Sequence, residues 1–89
     1  MEITQREFNR QFKKMPKGIQ KSFILECGLK KRYENVLLLS YIEELDYISI
    51  GDRLGMQSES IGNMLVEARK QLRENSIKYY NEKMNTLFL

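Results

Sequence analysis

Ser58, Glu59, Ser60 and Asn63 place four hydrogen-bonding side chains at the front of an apolar-periodic stretch, "SESIGNML". An asparagine amide can bond bidentately to an adenine edge, a serine hydroxyl can meet a base or a phosphate, and a glutamate can accept from a cytosine amino group. That is the chemistry of reading a duplex rather than of breaking bonds, and its plainer counterpart is a solvated, capped helix start. Bond-breaking constellations are missing from the sequence. There is no histidine, and the single Cys27 has neither a disulfide partner nor the base a nucleophilic thiol needs. A structural zinc site lacks its ligands. Glu43 and Glu44 are neighbours, so on a helix their carboxylates point about 100° apart and do not share a site. The expectation is a binding protein without catalytic residues, metal or cofactor.

The elements that must position these residues follow from periodicity. Thr4 and Glu7 have the spacing of a capping box, and Phe8, Phe12 and Met15 then share a face, which predicts a first helix from about Gln5 to Lys14. Pro16 and Gly18 should break it; Ile19, Phe23, Ile24 and Cys27 mark a second amphipathic piece ending at Gly28. From Lys30 to Glu44 a wide stripe including Tyr33, Val36, Leu37, Leu39 and Tyr41 reads as a helix buried on more than one side. Asp46 is placed to cap a short helix with apolar contacts from Ile48, Ile50 and Leu54, and Gly55 can end it in the left-handed conformation. After Met56, either Gln57 or the chemically better Ser58 caps a helix from about Glu59 into the 70s, with Ile61, Met64, Leu65, Ala68 and Leu72 inward. The fold class expected is all-α: a small bundle of four to five helices containing a helix-turn-helix and a long C-terminal helix. In such a unit the first helix crosses the phosphate backbone and the front of the second enters the major groove.

At 89 residues the chain is one domain by length, with 42% hydrophobic and 30% charged residues, a folded rather than a disordered composition. No apolar run nears the ~18 residues of a membrane span. The start, "MEITQREFNRQF", is too polar and acidic for a signal peptide, so the expected location is the cytoplasm. The net charge of +3 hides a pattern: residues 1–35 hold nine Lys/Arg against four Asp/Glu, residues 36–68 one against six, and residues 69–89 five against two. Basic flanks bracket an acidic middle. Phosphate grip should therefore come from Lys30, Lys31, Arg32, Arg69, Lys70 and Arg73, with Gln57 at the turn.

From Leu29 to Leu72 the chain resembles region 4 of sigma-70-type transcription initiation factors, the promoter-reading domain. The resemblance lies in "VLLLSYIEELDY", in "IGDRLGM" for the usual Ile-Ala-x-x-Leu-Gly-Ile, in "SIGNML" at the recognition helix, and in "EARKQL" for its Arg-Ala-Arg-x-x-Leu continuation. It implies a stand-alone small regulator that binds double-stranded DNA. Some positions depart from the family pattern. Ser49 stands where Glu is usual, Gly51 replaces Ala in an exchange expected to be sterically harmless, and Gly62, Met64 and Glu67 occupy places where basic residues are common. With only some 28 residues ahead of the match, a complete sigma factor is not expected.

The segments read as an N-terminal helical piece (1–28), the sigma-region-4-like unit (29–75) and an amphipathic tail (76–89), all in a single domain. In the tail, Ile77, Tyr80, Met84 and Leu87 form a stripe that either folds back on Phe8, Phe12 and Phe23 or makes a homodimer seam. A dimer would read two half-sites about one DNA turn apart. The acidic middle supports a rival reading: a protein-interaction module that binds RNA polymerase or another transcription protein and reads no bases.

Overall fold

The computed structural model describes the backbone of residues 3–87 and the side chains of residues 3–78. Among these residues the chain is all-α, with helices α1 (Gln5–Lys14), α2 (Lys17–Glu26), α3 (Lys31–Leu37), α4 (Tyr47–Leu54) and α5 (Ser58–Leu87), and a π-helical segment, Leu38–Ile42, continuing α3.

α1 starts where its cap predicts: the Thr4 hydroxyl accepts from the Glu7 amide at 3.2 Å. The return arm of the box is not made. The Glu7 carboxylate instead accepts from Arg10 and from Gln11, contacts that hold its pKa below the usual carboxylate value, Arg10 contributing most. Pro16 ends α1 and stands at the cap of α2, while Gly18, expected to share in the break, lies inside α2. The inward face of α2 is also displaced from expectation. Gln20, Ile24 and Cys27 are buried, and Ile19 is exposed. A glutamine at a core position is invisible to an apolar count; it goes inside because its amide donates to the Phe12 carbonyl at 2.8 Å, where α1 ends.

The long helix expected from Lys30 to Glu44 does not stay α-helical. At its end the Glu43 amide returns to the Leu38 carbonyl and the Leu45 amide to the Leu39 carbonyl, at 3.1 and 3.0 Å, and Glu44 takes a left-handed φ of 56°. Tyr41 meets the Phe12 ring edge-on, with centroids 5.0 Å apart.

One continuous core results. Phe12 of α1, Ile24 of α2, Val36 and Leu37 of α3, Ile50 of α4 and Ile61, Leu65, Ala68 and Leu72 of α5 belong to the same buried cluster. The segment before residue 29 therefore packs into the unit that follows it. α5 is the spine, 30 residues or ~45 Å long, which matches the longest dimension of the molecule, 47 Å. The earlier helices are pinned to it by polar contacts. Arg73 donates to the Gln5 side chain (2.9 Å) and the Ile3 carbonyl (3.0 Å), Gln5 donates to the Arg69 carbonyl (3.1 Å), and Asn75 donates to the Cys27 carbonyl (2.9 Å). Among the described residues no helix is long and apolar enough to cross a membrane. The side chains of Tyr80, Met84 and Leu87, on which the tail stripe depends, lie outside the described residues.

Candidate functional site

The region that carries the polar quartet begins at Asp46, whose carboxylate accepts from the Ser49 amide at 2.8 Å and caps α4. This bond to the ionised carboxylate, more than any other influence, lowers the Asp46 pKa. α4 stops at Gly55, left-handed at φ 69° and ψ 36°. The chain then doubles back, the Met56 amide bonding the Gly51 carbonyl at 2.8 Å. A Cβ on Gly51 would lie 2.4 Å from the Met56 carbonyl oxygen. Alanine at this position is therefore not the harmless equivalent expected from the sequence, because the atom it would strike is backbone. α5 starts at Ser58, and the Gln57 carbonyl accepts its first bond, from the Ile61 amide at 3.1 Å. Gln57 thus holds the cap position, and Ser58, the residue preferred on chemical grounds, is the first inside the helix.

With Ile61, Leu65 and Ala68 turned into the core, the opposite side of the same helix must face out. Gln57, Ser58, Glu59, Ser60 and Asn63 are all exposed. The outward stripe continues through Val66, 64% exposed, to Lys70. Val66 was not singled out from the sequence, although its place off the 61-65-68-72 spacing was the available signal. Ile48 is 67% exposed rather than packed under α4. With Asp52, Met56, Gln57, Ser58 and Glu59 it borders a concavity of about 450 Å³ between α4 and the front of α5. Gly62 is covered from its own chain: a Cβ there would meet the Tyr47 ring at 3.3 Å.

The cations divide into two groups. Lys30, Lys31, Arg32 and Lys70 are exposed. Lys31 pairs with Glu34 at 3.1 Å and Arg32 lies over the Tyr33 ring, 4.9 Å from its centroid, both of them surface contacts that exchange easily. Arg69 and Arg73 are held within the fold instead. The Arg69 Nε donates to the Tyr41 hydroxyl at 3.2 Å; burial works to lower its pKa, but Tyr41 and Tyr47 outweigh burial and raise it. The Arg73 guanidinium is engaged by Gln5 and Ile3, as described above. Sequence spacing placed both arginines behind the polar front, where they could reach phosphate, but it carried no sign of the partners α1 and the π segment would bring.

Among the described residues no group of three or more His, Cys, Asp or Glu side chains could hold a metal ion. No protein-family model matches the chain. Neither the curated proteins nor the solved structures contain a match to it.

Proposed function

We propose that this protein is a DNA-binding regulator of transcription, with α4 and α5 acting as a helix-turn-helix of the sigma-region-4 kind. The observation that carries the reading is the bare polar front of α5, standing beyond a three-residue turn clamped onto Gly51. Ser58, Glu59, Ser60 and Asn63 address base edges, and Val66 offers an apolar contact suited to a thymine methyl. Lys30 lines one concavity with Glu67 and Gln71. Gln71 is eleven residues beyond Ser60, about 16 Å along the axis. With the front in a major groove, the exposed cations Lys30, Lys31, Arg32 and Lys70, together with Gln57, are the groups proposed to meet phosphates. Selection from random duplexes at low ionic strength, read by fluorescence anisotropy, is the test. Asn63→Ala should relax sequence preference, and Lys70→Glu should weaken all duplexes alike. Should no duplex bind, or should both variants bind as the parent does, the reading fails.

A second reading is favoured by one feature, the concavity where Asp52 and Glu59 flank exposed Ile48 and Met56. Acidic and apolar together, it suits a basic-apolar patch on RNA polymerase or another transcription protein. Asp52→Lys separates the two readings: it should strengthen duplex binding if α5 reads DNA, and abolish capture of purified polymerase if the concavity is the binding surface.

A further inference from the structure

α1, α2, the π segment and α5 border a half-open concavity of about 500 Å³ that shares no lining residue with the polar front. Its wall includes Lys13, Lys17, Gln20, Tyr41, Glu44 and Arg69, three cations against one carboxylate. The volume is within the range of small-molecule sites. Lys17 bonds the Tyr41 carbonyl and pairs with Glu44 at 3.0 Å, and Arg69 bonds the Tyr41 hydroxyl. The Lys13 ammonium has no hydrogen bond or ion pair among the described residues.

Two further features of this wall are otherwise unaccounted for. Gln20 is 1% exposed, and its Nε2 donates to the Phe12 and Lys13 carbonyls at 2.8 and 3.3 Å, which fixes the amide's orientation. Its Oε1 is left buried without a donor. Buried acceptors are rarely left unsatisfied. The same wall holds the π segment and the left-handed Glu44, two departures from regular helix that concentrate at ligand sites.

We infer that this cavity binds a small organic anion that also bears hydroxyl groups, such as a sugar phosphate or a hydroxy-carboxylate. Its anionic group is drawn to Lys13 and, by exchange with Glu44, to Lys17, with Arg69 close by. The Gln20 Oε1 is covered in the unliganded chain, so a ligand hydroxyl supplies the donor it lacks only as the wall yields around that atom. The site is independent of the DNA reading, since none of Ser58, Glu59, Ser60 and Asn63 lines it.

Nitrogen-15 correlation spectra of the full chain, titrated with glucose 6-phosphate, citrate and inorganic phosphate, provide the test. Saturable shifts of the Gln20 side-chain amide and the Arg69 Nε are expected with one of the two organic anions, and which of them acts tells phosphate from carboxylate recognition. Inorganic phosphate should bind at least about tenfold more weakly. Lys13→Ala should lose about tenfold or more in affinity while Lys70→Ala keeps the parent value. The Lys13 side chain is exposed and has no hydrogen bond or ion pair among the described residues, so its variant should melt as the parent does. The inference is overturned if none of the three probes gives a saturable shift, if inorganic phosphate binds as tightly as the organic anions, or if Lys13→Ala binds unchanged.

Discussion

Two glycines in the α4–α5 pair look alike in the sequence and behave oppositely in the structure. At Gly51 an added methyl would meet a carbonyl oxygen at 2.4 Å, and that oxygen belongs to the turn itself. Overpacking of this kind costs ~1–3 kcal/mol. The opposing gain in helix propensity from alanine is ~1 kcal/mol at most. Gly51→Ala should therefore lower the urea midpoint. At Gly62 the atom in the way is the ring of Tyr47, a side chain 42% exposed that also interacts with Arg69 and needs to give by only a few tenths of an ångström. Gly62→Ala should raise the midpoint, by up to about 1 kcal/mol in stability. Its effect on DNA is the more telling measurement. A variant that is more stable yet binds duplexes less well would mean that the Gly62–Tyr47 contact shapes the binding surface rather than the stability of the fold.

At the scale of the element, α4 depends on its ends. It is a helix of eight residues, too short to persist alone, with an aspartate cap before it and a left-handed glycine after it. The cap titrates. The folded-state pKa of Asp46 is lowered, so the stability it contributes is present above the ordinary carboxylate range and is lost as pH falls through the depressed value. Asp46→Asn can keep an amide-accepting cap without ionising at that site. Its melting temperature should consequently vary less than the parent's between neutral and acid pH, and equal slopes would show that the cap charge contributes nothing. The α3–π junction teaches the converse lesson. "VLLLSYIEEL" reads as helix from end to end, and the widened turn at Leu38–Ile42 leaves no mark on its periodicity; the Tyr41 carbonyl within it is bonded by Lys17 from a different helix, a contact that periodicity does not encode.

For the molecule as a whole, charge placement decides how strongly it can hold a polyanion. Arg69 and Arg73 bind α5 to the π segment and to α1, which leaves Lys30, Lys31, Arg32 and Lys70 as the exposed cations of the proposed interface. Four phosphate contacts correspond to a slope of roughly −3 to −4 when the logarithm of duplex affinity is plotted against that of salt concentration. A slope near zero would mean that binding, if observed, does not use this cluster. Asp52 borders the same concavity as Glu59 at the proposed front, and reversing its charge is why Asp52→Lys is expected to raise duplex affinity.

What the residues determined by themselves were the local features. The Thr4 and Asp46 caps, the Pro16 and Gly55 stops, and the 61-65-68-72 stripe of α5 each depend on atoms within a turn or two of chain, and each stands where its spacing predicts. The polar front of α5 was legible for the same reason, as the complement of that stripe. Contacts between distant segments were not legible. Gln20 is buried because α1 ends above it, Arg69 and Arg73 point inward because Tyr41 and Gln5 arrive from elsewhere, and Ile48 stays in solvent because nothing in the described fold comes to cover it. A side chain's neighbours along a helix follow from its period; its neighbours across the core depend on how whole helices dock, and only the tertiary structure could assign those.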